Sequence, residues 1–385
     1  MNPLRFRILS LVLSFPLLLG AQTFVDPTVD RINQANIVLG DRVMVAPFAS
    51  LLAGATAETS IVIGNGSNLQ EDVTLDASGR KVELGSSVEV GHGATVKSGA
   101  RIGMTGVCPP APAFCGTFIG FQAEIGEGAT VEKDALVFGF ARLAPGVTLP
   151  SGRKTLPGVN ILTNAQALSP THTAPMTEAD RLFIQAVVSI NLVHTLGYPA
   201  LEAADPSNVQ GINYDPGLVT PCPCLPTIGG EITRVPSFRN RIVGDVQMTD
   251  KLEKLDQVMG KKISLRADEG KPLVIDEIDE MGSRTLVHTF VGTKLELGKH
   301  GTYGYRSIVH SAPDFDPADP DFNLTKTGKN FNLGTQAVFF QSQAGDDVKI
   351  GRRSFVILSK LPDGTVIPSR KVVIGGVIVG TVDWE

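Results

Sequence analysis

The sequence predicts an all-β solenoid made of two tandem parallel β-helices, with an α-helix after the first. Aliphatic residues recur every six positions over long stretches, and glycine follows many of them. The second half of the chain repeats this pattern after a helical segment. A short period repeated many times indicates a solenoid, whose stacked coils bury each other's apolar rows. An antiparallel β-sandwich would instead show an alternation of period two.

The composition suits this fold. Of the 385 residues, 42% are hydrophobic but only 6% are aromatic, so the cores must be built from Val, Ile, Leu and Ala. The 41 glycines and 25 prolines favour tight turns and strands over long helices. The net charge of −5 gives no reason to expect a nucleic-acid partner.

Residues 1–21 have the features of a signal peptide. Arg5 and Arg7 precede an apolar stretch from Ile8 to Leu19, and small residues follow it. The stretch is short for a membrane span of about 20 residues, and an uncleaved anchor is the alternative. We expect an exported protein, periplasmic or extracellular, without membrane attachment after cleavage.

The first β-helix domain is predicted over residues 22–165. Its aliphatic positions six apart are Leu39, Val45 and Leu51; Ile63, Leu69 and Leu75; Leu84, Val90, Val96 and Ile102; and Ile119, Ile125, Val131 and Val137. One inward aliphatic side chain per six residues, with turns between, gives the short flat faces of a β-helix.

Residues 166–205 are predicted to hold one helix that packs on the first domain. A capping pattern at Thr177–Asp180 begins it, and apolar side chains follow at helical spacing. Gly197 and Pro199 are expected to end it. Residues 206–240, rich in Pro and Gly, are predicted to be a linker.

The second β-helix domain is predicted over residues 241–385, with a weaker form of the same period. Its positions six apart are Ile275, Met281 and Val287; Leu297, Tyr303 and Val309; and Ala344, Ile350 and Val356. Each half carries one insertion, which in the second half is the aspartate-rich stretch 312–325. Those aspartates could bind calcium, but their spacing favours a solvated acidic loop.

The four cysteines suit an oxidising compartment, where even numbers favour disulfides. Cys108 and Cys115 bracket a proline-rich loop, the insertion of the first half, and are predicted to pair. Cys222 and Cys224 are separated by a single proline, so a ring between them would be strained.

One stretch of the second domain concentrates residues that could do chemistry. Arg266, Asp268 and Glu269 form a compact charged group, and His288 and His310 flank an apolar ladder. Neutral imidazoles are common ligands of zinc and of other first-row metals. A carboxylate beside a metal can move protons. The structural alternatives are a core histidine and an ion pair at a subunit contact.

Both halves resemble gamma-class carbonic anhydrases. The residues that carry the resemblance in the first half are Phe24-Val25-Asp26-Pro27, Ala46-Pro47-Phe48-Ala49-Ser50, Ser67-Asn68-Leu69-Gln70, Ile119-Gly120-Phe121-Gln122-Ala123 and Ala186-Val187-Val188-Ser189-Ile190-Asn191. Those in the second half are Ser264-Leu265-Arg266-Ala267-Asp268-Glu269-Gly270 and Leu286-Val287-His288. The family's fold is a left-handed parallel β-helix followed by a helix. The resemblance therefore implies the left hand, although general crossover chirality favours the right.

In that family three histidines hold zinc or iron, two from one subunit and the middle one from its neighbour. The resemblance places the first and last ligands of the second half at His288 and His310, and the middle ligand of the first half at His92. The other ligand positions hold different residues, namely Asp76, Lys97 and Tyr305. Neither half has a full set, but the losses are complementary. The resemblance thus implies one shared site between the two domains, within a chain or between chains, with one zinc or iron per chain or fewer.

The resemblance implies reversible hydration of carbon dioxide to bicarbonate by water that the metal activates. Gln70 and Asn191 match the family's active-site Gln and helix Asn and would orient water and substrate. Glu269 would move the proton out, while Arg266 and Asp268 would form a structural ion pair across the domain interface. A homo-oligomer packed like the family trimer is expected.

Two other functions stay open. A catalytically inactive β-helix that serves as a structural or assembly module is favoured by the loss of ligands in both halves. A hexapeptide-repeat acyltransferase would share the fold but needs a cytoplasmic acyl donor.

His194, on the predicted helix, is interpreted as a packing residue.

Overall fold

The computed structural model describes residues 22–219, 224–312 and 323–384, and it consists of two parallel β-helices. The strands of the first are β1 (Phe24–Val25), β2 (Asp30–Ile32), β3 (Ile37–Leu39), β4 (Met44–Val45), β5 (Ser50–Ala53), β6 (Ile61–Ile63), β7 (Asn68–Leu69), β8 (Thr74–Ala77), β9 (Val82–Leu84), β10 (Val88–Val90), β11 (Thr95–Val96), β12 (Arg101–Ile102), β13 (Thr117–Ile119), β14 (Glu124–Ile125), β15 (Thr130–Val131), β16 (Leu136–Val137), β17 (Arg142–Leu143), β18 (Thr148–Leu149), β19 (Arg153–Thr155), β20 (Asn160–Ile161) and β21 (Thr173–Pro175).

The second β-helix follows in the same manner. Its strands are β22 (Ile212–Asn213), β23 (Thr227–Ile228), β24 (Glu231–Ile232), β25 (Arg241–Gly244), β26 (Val246–Met248), β27 (Ser264–Ala267), β28 (Leu273–Ile275), β29 (Ile278–Met281), β30 (Leu286–His288), β31 (Lys294–Leu297), β32 (Gly301–Tyr303), β33 (Ile308–His310), β34 (Leu324–Lys326), β35 (Asn332–Leu333), β36 (Val338–Phe340), β37 (Gln343–Ala344), β38 (Lys349–Ile350), β39 (Phe355–Ile357), β40 (Lys360–Leu361), β41 (Val366–Ile367), β42 (Lys371–Ile374) and β43 (Val377–Thr381). The α-helices are α1 (Asn164–Leu168), α2 (Glu178–Ala204) and α3 (Leu252–Val258), and the 3₁₀ helices are Gln34–Asn36, Ala57–Thr59 and Pro206–Val209.

Three sheets run along each β-helix, one for each face. Two of these faces matter for the site. Face A of the first β-helix has the strand order β1-β4-β7-β10-β13-β16-β19-β21, and face D of the second has the order β22-β25-β27-β30-β33-β36-β39-β42-β43. Apart from an antiparallel last pair on each, neighbouring strands on these faces are parallel. The predicted fold class, a parallel β-helix of hexapeptide-repeat type, is confirmed.

The register gives the length of each coil. In the first β-helix, Ile119 lies beside Val137, 18 residues later, which is three six-residue repeats. In the last coils of the second, Val356 lies beside Val373, 17 residues later. One corner of those coils is therefore a residue shorter, which explains why the period is weaker in the second half.

The predicted inward positions form the two cores. All of the six-residue series in both halves is buried except Leu39, which packs on the first core from its edge. Because only every second side chain of a strand points inward, the polar side chains between them point out of each coil. Whether those outward side chains meet water depends on what covers each face.

Corners of the coils place non-glycine residues in the left-handed backbone region. Gln122 and Phe140 occupy successive corners with φ of 55° and 56°. Such a conformation costs about 1–2 kcal/mol for an L-residue, which burial of the coil must offset. At Gly93 (φ 68°) a Cβ atom would lie 2.6 Å from the side-chain nitrogen of Gln122, so a larger residue would have to displace that side chain.

Helix α2 begins as predicted but ends later. Its Thr177–Asp180 capping box is present. The expected end at Gly197 and Pro199 is wrong, because the helix continues to Ala204 with the proline inside it. A Cβ on Gly197 would lie 2.4 Å from Pro216, so this glycine allows close packing of the following segment instead of ending the helix. Tertiary packing thus overrides the local helix-breaking tendency.

By length and composition alone, α2 could cross a membrane, but half of its most apolar window is buried inside the protein. Its apolar side chains pack with Phe118 and Leu136 of face A. Phe290 of the second β-helix belongs to the same cluster, and Tyr198 stacks on Phe24 at a ring-centroid distance of 5.0 Å. The helix therefore packs on the first β-helix, as predicted, and also covers the seam between the two.

The segment 206–240 is not only a linker. Strand β22 pairs with β25, and β23 pairs with β26, so this segment supplies the first coil of the second β-helix. These strands are two residues long and lie among prolines, so the composition of the segment does not predict them.

Faces A and D pack against each other within the chain. Asp26 pairs with Arg241 at 3.2 Å near one end, and Asp72 pairs with Arg306 at 2.6 Å in the middle. Near the other end the indole nitrogen of Trp384 donates to the carbonyl of Phe140 at 2.6 Å. These contacts span most of the length of both β-helices and set their relative register.

Four predictions fall on other parts of the chain. The disulfide between Cys108 and Cys115 is present. The signal peptide (1–21), Cys222 and the aspartates of stretch 313–322 lie outside the described residues.

Replacing Ile125 by alanine should lower the free energy of unfolding by about 2–5 kcal/mol, because it removes a fully buried side chain from a stacked row. The control is Val38→Ala on the same β-helix, where the side chain is 54% exposed and the expected change is within about 0.5 kcal/mol. Denaturant unfolding followed by circular dichroism measures both. Equal losses would contradict the stacked core.

Candidate metal centre

Three histidine side chains meet where faces A and D pack. His288 and His310 end strands β30 and β33 and are direct neighbours in the parallel register of face D. His92 comes from the turn after β10 on face A. All three are at most 5% exposed, and one ring nitrogen from each lies within 4.8 Å of the others. The packing therefore assembles the predicted mixed set of ligands inside one chain.

Each imidazole has one ring nitrogen placed beside an acceptor outside this group. Nδ1 of His92 lies 2.9 Å from Oε2 of Glu71. Nδ1 of His310 lies 2.5 Å from the carbonyl of Ser311, and Nε2 of His288 lies 3.3 Å from Oε1 of Glu269. An outer acceptor holds the ring proton on the nitrogen that faces it. The other nitrogen of each ring is then left with a lone pair.

Those inner nitrogens face one another. Nδ1 of His288 and Nε2 of His310 are 3.0 Å apart. Two lone pairs at this distance repel, so a proton or a metal ion is needed between them. Burial lowers the pKa of His92, and burial together with the nearby imidazoles holds the pKa of His310 well below its usual value. The neutral form, which binds metals, is thus favoured in both rings.

A buried charged group lies behind the imidazoles. The Arg266 guanidinium contacts Glu71 at 3.0 Å, Asp268 at 3.0 Å and Glu269 at 2.9 Å. Burial acts to raise the pKa of Glu71, but Arg266 and His92 outweigh it and hold that pKa well below its usual value. The pKa of Glu269 is likewise held well below its usual value, because His288, His194 and Arg266 outweigh its burial.

The charge balance of this group fits a divalent cation. Three carboxylates surround one guanidinium, which leaves two negative charges uncompensated among these four groups. Buried charge is costly unless it is paired or bound to a metal. In addition, Oε2 of Glu269 has no hydrogen-bond partner among the described residues. Three imidazoles that present lone pairs, backed by this negative charge, suit zinc or another divalent first-row metal.

A second wall of the site carries amide side chains around one more carboxyl group. Glu89, on β10, accepts hydrogen bonds from Asn68 at 2.8 Å, Gln70 at 2.7 Å and Asn191 at 3.2 Å. Asn191 reaches it from helix α2 and also donates to the carbonyl of Val187 at 3.0 Å. Burial, with Glu269 nearby, raises the pKa of Glu89 to about 8 despite the amide donors.

The imidazoles and the amide wall border one small cavity of about 20 Å³. Polar residues lining it are Gln70, Glu89, His92, Asn191, Glu269, His288 and His310. A larger apolar cavity of about 270 Å³ adjoins it and shares the lining residues Phe118, Phe121, Phe183, Ala312 and Phe340. The small cavity has room for one or two water molecules. The large one offers an uncharged molecule a place beside it.

The structure brings together every predicted site residue, but two of the contacts differ from expectation. Arg266 and Asp268 do pair, yet both lie on the second β-helix, because Arg266 is on β27 and Asp268 directly follows the end of that strand. The link across the interface is the contact between Arg266 and Glu71. Glu269 is buried among His288, His194 and Arg266 and does not lead to solvent, which differs from its predicted role of carrying the proton out.

Three residues of the site escaped prediction. His194 is not only a packing residue, because its Nε2 lies 3.1 Å from Oε1 of Glu269. Glu71 directly follows the predicted Gln70, and that adjacency was the available signal. Glu89 lies beside Asn68 in the register of face A, but its outward position predicts solvent exposure. Only the packing of helix α2 and face D buries it.

The chain matches no protein-family model and no curated protein. Among solved structures it is similar to a hexapeptide transferase family protein from Anaplasma phagocytophilum, at 20% identity over 46% of this chain and 94% of that one, with a TM-score of 0.24. It is similar to the acetyltransferase domain of PglB from Neisseria gonorrhoeae, at 15% identity over 42% of this chain and 60% of that one, with a TM-score of 0.19. An Arabidopsis UDP-N-acetylglucosamine acyltransferase is 12% identical over 91% of this chain and 71% of its own, with a TM-score of 0.17. At these identities and TM-scores the similarities carry no argument about the reaction of this chain.

Replacing Arg266 by methionine should destabilise the protein by about 3–5 kcal/mol, because it leaves buried carboxylates without their partner. The control is Arg101→Met, which removes a pair with Glu83 at 3.1 Å from a site where the arginine is 48% exposed. That change should cost less than about 1 kcal/mol. Denaturant unfolding of the two variants tests this, and a loss at Arg266 no larger than at Arg101 would contradict the structural role of the buried group.

Proposed function

We propose that this chain is a metalloprotein of gamma-carbonic-anhydrase type, which hydrates carbon dioxide reversibly at a zinc or iron ion held by His92, His288 and His310. The observation that carries the proposal is the orientation of the three imidazoles. Each has one ring nitrogen beside an outer acceptor; the other nitrogens of His288 and His310 are 3.0 Å apart, and a ring nitrogen of His92 lies within 4.8 Å of this pair. The uncompensated negative charge around Arg266 supports a divalent ion at the same point.

A metal bound by three neutral imidazoles lowers the pKa of a water ligand to about 7, which supplies a nucleophile near neutral pH. Residues of the chain would orient the imidazole rings, the water molecule and the substrate. Glu71, Glu269 and the carbonyl of Ser311 hold the imidazole rings in the required tautomers. Gln70 and Asn191 line the cavity, where amide groups can donate to or accept from a water molecule or a carbonyl oxygen.

The surroundings favour a small uncharged substrate. Phe121 lies 5.3 Å from both His92 and His310, measured between ring centroids, and Phe340 lies 5.6 Å from His310. These rings exclude bulk water from one side of the imidazoles. The adjoining apolar cavity of about 270 Å³ could hold carbon dioxide before it reaches the site. A charged substrate would find no compensating group among these phenylalanines.

Two further parts of the proposal concern the whole protein. The signal-peptide features of residues 1–21 support export to the periplasm or beyond. A homo-oligomer packed like the family trimer is proposed as well, but all of the site residues named above come from one chain. The site therefore does not depend on that assembly.

The first test is the metal content of anaerobically purified protein from cells grown with both zinc and iron. We expect about one metal ion per chain, lost in each of His92→Ala, His288→Ala and His310→Ala, as for a site with three imidazole ligands. His300→Ala is the matched control, because that imidazole is 49% exposed on a turn and pairs with Glu277 and Asp279, which lie outside the candidate site. Stopped-flow hydration of carbon dioxide should be catalysed by the wild type and by the control only.

The other outcomes separate the alternatives. Metal that persists in His92→Ala would place the site wholly in the second β-helix. Wild-type protein without metal would overturn the enzyme proposal and favour the inactive structural module. Wild-type protein that binds metal but does not catalyse the hydration of carbon dioxide would support the metal site and overturn the proposed reaction.

A further inference from the structure

We infer that Glu89 is the proton-exchanging residue of this site: it accepts the proton that water loses during hydration and returns it in the reverse direction. This inference rests on the proposed function. Glu89 lines the same cavity of about 20 Å³ as the three imidazoles, so a water molecule in that cavity lies within its reach. The resemblance to carbonic anhydrases assigns no role to this position.

The geometry sets Glu89 apart from the other carboxyl groups of the site. Glu71 and Glu269 each contact Arg266 and a histidine. Glu89 is fully buried and, among the described residues, no arginine, lysine or histidine forms an ion pair with it. Its contacts are amide groups, from Asn68 and Gln70 on face A and from Asn191 on helix α2.

The charged group that faces Glu89 from the second β-helix is Glu269. On face A, the neighbour of Glu89 in the strand register is the uncharged Phe118. Burial is the largest cause that raises the pKa of Glu89, and the negative charge of Glu269 adds to it, whereas the amide donors act against it. A pKa of about 8 lets both protonation states be populated near neutral pH. Two carboxyl groups of one cavity whose pKa values are pushed apart divide into a permanent anion and an acid–base group.

The amide groups can serve either protonation state. Oδ1 of Asn68 and Oε1 of Gln70 are buried and have no hydrogen-bond partner within residues 22–219, 224–312 and 323–384. If either amide rotates by 180°, its oxygen faces Glu89 and can accept a proton from the protonated carboxyl group. In the ionised state the same amides donate, as in the structure. The amide groups around Glu89 can therefore form hydrogen bonds with it whether it gains or loses a proton, without a change of the backbone.

The step balances as follows. An O–H bond of the water breaks, and its proton moves to a carboxylate oxygen of Glu89. The water oxygen forms a bond to the carbon of carbon dioxide, and one electron pair of a C=O bond moves to its oxygen, which gives bicarbonate. The proton on Glu89 then passes to solvent or buffer, which restores the carboxylate.

The decisive variant is Glu89→Gln, which keeps the shape but cannot titrate. We expect its metal content to equal that of the wild type and its kcat to fall about 100-fold, as for loss of a general base. The wild-type profile of kcat against pH should rise through an ionisation near 8 that is missing in the variant. Glu89→Asp, which keeps a carboxyl group, should restore part of kcat.

A stability measurement gives a readout that does not need activity. The folded pKa of Glu89 is raised from 4.5 to about 8, so ionisation is penalised only in the folded state. The wild type should therefore lose stability relative to Glu89→Gln as pH rises between about 4.5 and 8, and the difference in Tm should be constant above that range. Glu127→Gln, at an exposed corner of the same β-helix, is the control and should change neither readout.

The outcomes keep this inference distinct from the proposed function. A wild type that binds metal and hydrates carbon dioxide, with an unchanged pH profile in Glu89→Gln, overturns the role of Glu89 alone. A Tm difference independent of pH overturns it as well, because Glu89 would then not hold a proton. If the wild-type protein binds no metal or does not catalyse the hydration of carbon dioxide, the proposed function is overturned. The catalytic role of Glu89 is then overturned as well.

Discussion

The site depends on one buried guanidinium. Arg266 contacts Glu71 from the first β-helix and Asp268 and Glu269 from its own, so it links the two β-helices through buried charge–charge contacts. Inside a protein such contacts are strong, but each group is costly when its partner is removed. The same carboxylates orient His92 and His288. The interface and the candidate site are therefore one structure, and neither can be altered without the other.

The two β-helices contribute different residues to the candidate site. A pair of identical β-helices would carry the same residues on both, but here face A supplies His92 and face D supplies His288 and His310. Of the positions that the resemblance pairs with them, Asp76 lies on strand β8, where its Oδ1 accepts from the backbone nitrogen of Ser78, and Tyr305 has a half-exposed side chain. Helix α2, between the two copies in sequence, lies over their seam and brings Asn191 and His194 to the site. The result is an asymmetric site from a nearly symmetric repeat.

The resemblance placed the predicted ligands, because each falls on a ligand position of the family's pattern. His288 and His310 occupy equivalent places in two coils, and His92 lies between the glycines of a corner. The network around them could not be read in this way. Glu71, Glu89 and His194 are common residue types at positions where an isolated coil or helix would expose them. The predicted end of α2 at Gly197 was also wrong. Glycine weakens an isolated helix, but here Gly197 allows close contact with Pro216.

The sequence by itself determined the β-helix, since a six-residue period needs only the local rule that alternate side chains point inward, and the buried series from Val45 to Val356 follows it. Through the resemblance it also pointed to the three histidines that are proposed as metal ligands. The tertiary structure alone decided which outward side chains are buried, which of them are ionised, and which of the two β-helices each one meets. Those properties depend on contacts between residues far apart in the chain, such as Glu71 with Arg266, and no local pattern encodes such a distance. The ionisation of Glu89 and Glu269 follows from that packing, because water and counter-charges, not residue type, set the pKa of a buried carboxyl group.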